Sequence, residues 1–253
     1  MKFLIFLLAA VLVGCDAAPR TVLESEATSA MLRNDFPRAL QLWDQVLVKN
    51  NRNPDAYRDR ANTKVYLGDF PGALKDYDQS LAYAPRAAAT YLNRGTVWEA
   101  LGDWDQAIRD YNRVLELEPR AADAFNNRGN AQAGKGAWPA AIEDFKSAVI
   151  INPRYDLARA NLALALIQTG QYQAALTEYQ NAPPGFERFP DALAGHGLAL
   201  WQLQQPRAGV LLLQKALALD PNYQSRTWLL KTRRWPPRAV DQLLAMQAKA
   251  KKL

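Results

Sequence analysis

The sequence is poor in the residues that usually carry chemistry. Its 253 residues include one cysteine, Cys15, and one histidine, His196. A lone cysteine excludes a disulfide framework, and one Cys with one His excludes a structural zinc site of the usual Cys/His kind. A single imidazole leaves little room for constellations that pair a His base with a nucleophile. There is no Gly-rich phosphate loop and no Gly-x-Ser-x-Gly elbow. The carboxylates scatter at regular spacing instead of converging in a pair. We therefore read the chain as no enzyme, with no catalytic residues, no metal and no cofactor. Disorder is excluded too, because 49% of the residues are hydrophobic and 22% charged. Nor does any apolar run reach the roughly 20 residues that a membrane-spanning helix needs.

The longest such run covers residues 3–13, behind Met1 and Lys2. It has the length of a signal-peptide core. It closes on Leu12-Val13-Gly14-Cys15, which resembles the lipobox of bacterial lipoproteins: two aliphatic residues, a small one, then Cys. The resemblance implies a signal peptide over 1–14, removal before Cys15, and a diacylglycerol thioether on that thiol. Each buried acyl CH₂ contributes about 0.8 kcal/mol, and two or more chains anchor far better than one. The expected address is an exported, membrane-anchored lipoprotein of the cell envelope, joined to the rest by a tether over 15–19. Asp16, beside the Cys, is the retention signal for the inner membrane in enterobacterial lipoproteins.

Almost everything else repeats every 34 residues. Pro85, Pro119, Pro153 and Pro221 lie 34, 34 and 68 apart, and Ala39, Ala73, Ala107, Ala141 and Ala175 keep the same frame. Trp43, Tyr77, Tyr111, Phe145 and Tyr179 form an aromatic column, and Gly68, Gly102, Gly136 and Gly170 another. The best copy reads Tyr91-x₂-Arg94-Gly95-x₂-Trp98, then Ala107-x₃-Tyr111, then Pro119. This resembles the tetratricopeptide repeat, whose signature is aromatic-x₂-Leu-Gly-x₂-aromatic, Ala-x₃-aromatic, Pro. The resemblance implies an all-α fold, an α-α superhelix of about six helix-turn-helix repeats: 20–53, 54–87, 88–121, 122–155, 156–189 and 190–223. In this reading Ala61, Gly95, Gly129, Ala163 and Gly197 sit where the first helix of each repeat meets the second, with the column Ala as partner. Pro disfavours helix in the residue before it and turns the chain into the next copy.

One column departs from the family. Arg60, Arg94 and Arg128 occupy the seventh position of their repeats, and Asp76, Asp110 and Asp144 the twenty-third. Repeats without the Arg also lack the Asp, which predicts three structural ion pairs from first helix to second, each contributing about 0.2–1 kcal/mol if exposed.

The pattern breaks at residues 181–185, Asn-Ala-Pro-Pro-Gly, which should end the fifth repeat's second helix a turn early and leave 185–190 as a surface loop. Residues 224–253 hold eight basic residues against one acid, Asp241, so the net charge of +6 belongs to this segment. Trp228, Leu229, Leu230 and Trp235 are expected to cover the last repeat. Pro236-Pro237 opens a final capping helix with Val240, Leu243 and Leu244 on one face. The alternative role for residues 226–252 is contact with anionic lipid, at about 1 kcal/mol per Lys or Arg near a membrane. Nucleic acid is not an expected partner, since no basic surface runs along the repeats.

In the family, first helices line the surface that takes peptides or partner helices. The matching positions here give Arg58, Asn62, Asn93, Asn126, Asn127, Asn130 and Asn161 as groove candidates. An amide offers donor and acceptor to any peptide backbone. The cations of the family's chaperone-tail clamp are mostly missing, which argues against recognition of a terminal carboxylate. The expected function is a membrane-anchored scaffold or adaptor that binds a protein or peptide partner. Two alternatives stay open: a structural envelope lipoprotein acting through its convex face or basic tail, and an assembly factor for photosynthetic membrane complexes. The latter rests on Arg233-Arg234-Trp235-Pro236-Pro237, an ending similar to that of cyanobacterial and plastid tetratricopeptide proteins.

Overall fold

A computed structural model describes residues 21–250; Cys15, the preceding apolar run and Lys251-Lys252 lie outside them. The chain forms two compact units, divided after Pro119.

The first unit is three helical hairpins: α1 (Val22–Leu32) with α2 (Phe36–Lys49), α3 (Pro54–Leu67) with α4 (Phe70–Tyr83), and α5 (Ala88–Leu101) with α6 (Trp104–Leu117). Within this unit α2 also packs on α3, and α4 on α5, so each hairpin covers the next. Local chemistry sets the boundaries. Thr21 and Glu24 close α1 with a capping box. Asp35, Asp69 and Asp103, 34 residues apart, accept hydrogen bonds from the amides that open α2, α4 and α6. The first helix of each repeat stops at one left-handed residue, Asn34, Gly68 or Gly102, with φ of 59°, 81° and 79°.

The second unit holds α7 (Ala122–Gly134), α8 (Trp138–Ile151), α9 (Asp156–Gln168), α10 (Tyr172–Gln180), α11 (Pro190–Gln202), α12 (Pro206–Leu219), α13 (Arg226–Lys231) and α14 (Pro237–Ala250). Its second helices lack the aspartate caps: Ala137, Gln171 and Gln205 make no side-chain bond to α8, α10 and α12. A single apolar cluster runs from Ala141 to Met246 instead. The aromatic column is buried throughout, with Trp43, Tyr77, Tyr111, Phe145 and Tyr179 all at 6% exposure or less.

Two details differ from the sequence reading, and a third goes beyond it. A methyl group at Gly95 or Gly129 would meet the ring of Tyr111 or Phe145 at 2.6 or 2.7 Å, so the small residue makes room for the aromatic column. Of the three glycines in this column, Gly197 is the one whose close neighbour is the second helix's own backbone, the Gly209 carbonyl at 2.7 Å. Second, α10 does stop early, but 185–190 is not a plain surface loop. Residues Phe186–Arg188 form a 3-10 turn, and Phe186 is 4% exposed, beside Tyr179 and Phe189. Its ring lies 6.3 Å from that of Tyr179, near the end of α10. Third, α14 is the final helix expected after Pro236, with Val240 and Leu243 buried, and the structure adds where it packs. It lies across α9 and α11, the first helices of repeats five and six, and touches α12 lightly.

Candidate peptide-binding face

The first-helix face of each unit is built by the arginine column and the asparagine column together. Arg60 Nε and Nη2 donate to the two carboxylate oxygens of Asp76 at 2.8 and 2.7 Å; Arg94 holds Asp110 at 2.9 and 2.6 Å, and Arg128 holds Asp144 at 2.7 and 2.7 Å. The three aspartates are 4–5% exposed, so these are bidentate, desolvated pairs. Sequence reasoning missed the third arm. Arg60 Nη1 reaches Asp44 at 2.8 Å and Arg94 Nη1 reaches Asp78 at 2.6 Å, each on the second helix of the preceding repeat. The clue was a further 34-residue spacing between those aspartates. Each guanidinium also lies 5.5–5.6 Å from the ring three residues before it: Tyr57, Tyr91 or Phe125. Burial works against the Arg94 charge, but the hydrogen bonds and fields of Asp110 and Asp78 outweigh it and raise its pKa.

With the hairpins locked, the asparagines join adjacent repeats. Asn93 Nδ2 on α5 donates to Asn62 Oδ1 on α3 at 3.0 Å, and that oxygen also accepts from the Tyr77 hydroxyl at 2.6 Å. In the second unit Asn161 Nδ2 on α9 donates to Asn130 Oδ1 and Asn126 Oδ1 on α7, at 3.2 and 3.0 Å. Both junctions join the ninth position of one repeat to the sixth of the next. Asn126, Asn127 and Asn93 are buried, at 0%, 2% and 8% exposure, and Asn126 Nδ2 is spent on Asn127 Oδ1. These three are the framework of the face and not its open surface. Arg58 is engaged as well, with Asp55 at 2.6 Å and Asp59 at 3.0 Å. Asn62 and Asn130 remain half-buried, and their Nδ2 groups have no protein partner among the described residues.

Farther along, the ladder ends. Leu164 and Leu198 stand at the ninth position of repeats five and six, and the Tyr179 hydroxyl finds no partner. His196 stacks on the Tyr179 ring, centroids 5.2 Å apart, and burial lowers its pKa. Among the described residues no cluster of His, Cys, Asp and Glu could hold a metal ion, and no helix is long and apolar enough to cross a membrane. Of the basic C-terminal residues, Arg233 is committed to Asp191 and Arg226 to Asp241, so that segment offers less free positive charge than its composition indicates.

Comparison with known proteins agrees with this fold. No curated protein matches the chain. Among solved structures, MamA is 26% identical over 64% of this chain and 95% of its own, with a TM-score of 0.57. PilW, a widely conserved type IV pilus biogenesis factor, is 20% identical, with 79% and 93% covered and a TM-score of 0.70. YrrB, a tetratricopeptide protein with an unusual peptide-binding site, is 19% identical, with 76% and 97% covered and a TM-score of 0.59. The last two likenesses are of fold alone. One tetratricopeptide repeat family model matches residues 58–111 and 99–156, and a second matches 132–195. Together they span more than half of the sequence, and the chain belongs to the tetratricopeptide repeat family.

Proposed function

We propose that this protein is a membrane-tethered adaptor that holds an extended segment of a partner protein against its first helices. As a tetratricopeptide chain it is a scaffold for protein–protein contact. The observation that carries the finer reading is one unengaged amide in each unit, Asn62 in the first and Asn130 in the second. Each has its oxygen spent on the neighbouring repeat and its Nδ2 left to donate. A fixed amide donor suits the carbonyl of an extended peptide, whose backbone offers such acceptors whatever its side chains. The ladder holds each amide in place, so less order is lost on binding.

The tether rests on Leu12-Val13-Gly14-Cys15, outside the described residues. In this reading Cys15 carries the lipid and Asp16 directs retention at the inner membrane. The chain acts as a binder without chemistry of its own. Proximity labelling from the full chain in membranes is the test. Asn62→Ala with Asn130→Ala should lose partners that the parent retains, while an unchanged partner set refutes the face. Separately, Cys15→Ser should abolish incorporation of labelled palmitate and move the protein to the soluble fraction. Retention of both signals refutes the anchor.

A further inference from the structure

Along the second unit the first-helix face changes character. In α7 the fifth, sixth and ninth positions are Asn126, Asn127 and Asn130; in α9 they are Ala160, Asn161 and Leu164; in α11, Ala194, Gly195 and Leu198. Small residues beside a leucine form an apolar trough, which cannot offer an extended peptide the amides of the earlier repeats. The chain fills this trough itself. α14 lies across α9 and α11 and buries Ala239, Val240, Leu243 and Met246 completely, in the same cluster as Leu164, Ile167 and Leu198. Those four residues are spaced i, i+1, i+4 and i+7, as the anchors of an amphipathic helix seated in a groove are spaced.

The polar ties of α14 are few, and they lie both at its rim and beneath it: Gln247 Nε2 donates to the Tyr223 carbonyl at 2.9 Å in a part-buried bond. Arg238 N donates to Gln168 Oε1 at 3.0 Å, and Gln242 Nε2 to the Tyr172 hydroxyl at 2.7 Å. The Arg226–Asp241 pair is more than half exposed on both sides. The segment before α14 is fixed quite differently. Buried Asp191 accepts from Trp235 Nε1 at 2.7 Å and from the Tyr223 hydroxyl, and it pairs with Arg233. Pro236 and Pro237 then separate this clamp from α14, behind a left-handed Arg234 with φ of 56°. The clamp closes the last repeat through buried charge and hydrogen bonds, whereas α14 is held beside it chiefly by its apolar face in the trough.

We propose that the first-helix face of repeats five and six is a docking site for an amphipathic helix bearing a small–Val–x₂–Leu–x₂–Met stripe. α14 is its resident occupant, and a partner helix with that stripe displaces it. The short connection keeps the resident helix at high effective concentration, so the site favours partners that bind tightly or arrive already held close by. This deepens the adaptor reading above by assigning a helix to one stretch of the face. It is tested without the unknown partner and with Asn62 and Asn130 untouched, so the two readings fail separately.

The probe is a fluorescent peptide of residues 236–250. In the full chain, Leu243→Glu with Met246→Glu should release α14 while circular dichroism retains the repeats. That variant should bind the peptide saturably and at least tenfold more tightly than the unchanged chain does. A peptide carrying the same two changes should not bind. Absence of binding to the folded variant, or equal binding to the unchanged chain, overturns the proposal. Collapse of the repeats in the variant also overturns it, because α14 would then be core and not occupant. A second measurement needs no variant: amide exchange in α14 should be at least tenfold faster than in α9 and α11. Equal protection overturns the proposal as well.

Discussion

One guanidinium at Arg94 holds a buried carboxylate, an exposed one and an aromatic face together, and the three are not equal in energy. Asp78 is 59% exposed on its side chain, so that arm contributes about 0.2–1 kcal/mol. Asp110 is nearly fully buried, and removing its partner strands a charge, at a cost of about 3–5 kcal/mol. In urea unfolding, Arg94→Ala should therefore cost about 3 kcal/mol or more and Asp78→Ala less than 1. Arg94→Met with Asp110→Leu should recover most of the loss, because an apolar pair of similar volume replaces the ions. A double variant that recovers nothing would show that the column's role lies elsewhere.

The left-handed stop of the first helices offers a reciprocal test. Gln204 holds φ of 63° where four other repeats have glycine. A side chain in that conformation costs about 1–2 kcal/mol, part of it offset by glycine's larger unfolded-state entropy. Gln204→Gly should raise stability by about 0.5–1 kcal/mol, and Gly102→Gln should lower it by a similar amount, read from thermal midpoints. No clash complicates the second change, since nothing lies within 4 Å of a methyl group at Gly102.

His196 gives the pH response. Burial lowers its folded pKa below the ordinary value near 6.5, so the folded state prefers the neutral ring. Its contribution is complete above that ordinary value and is lost as the pH falls through it toward the folded pKa. The urea midpoint of the second unit should drop between pH 7.5 and 5.5. His196→Phe, which keeps a ring against Tyr179, should remove that component; an unchanged drop would assign it to other groups.

Among the elements, second helices divide by how they begin. α2, α4 and α6 carry aspartate caps, whereas α8, α10 and α12 start without a side-chain bond. Ala137→Asp restores the missing cap of α8 and should stabilise the second unit by about 1 kcal/mol; Asp103→Ala should cost the first unit about as much. Equal and negligible effects would mean that packing alone sets these boundaries. This division also bears on what was legible in the sequence. The 34-residue frame placed every hairpin, because each column has a local cause in capping, turning or wedge filling. It placed the Arg–Asp pairs too, since the two residue types vary together from copy to copy. It did not reveal that Asn93, Asn126 and Asn127 face their neighbours, because residue type and spacing do not report which amide end is engaged. Nor did it place α14. A helix that reaches past its sequence neighbours to α9 and α11 leaves no trace in a periodic pattern, except that polar residues at the fifth and ninth positions give way to Ala160, Leu164, Ala194 and Leu198.

At the scale of the molecule, the buried apolar clusters each stay within one of the two units. Stability in such chains sums over repeats and their immediate neighbours. Tyr77→Ala, which empties a fully buried aromatic position, should cost about 3–5 kcal/mol locally. Amide exchange should then accelerate in α3, α4 and α5, while α9, α11 and α12 keep their protection. Loss of protection across the whole chain would instead show a single cooperative unit.

The place of α14 has a temporal side as well. The chain reaches the compartment where it folds with its N-terminus first, and the capped hairpins at that end have most of what they need as they emerge. The leucines of α9 and α11 wait for cover until the last residues have been made. Until then, and on any product that stops short of Pro237, that greasy strip stands bare. It is the stretch of this protein on which chaperones and proteases would be expected to act first.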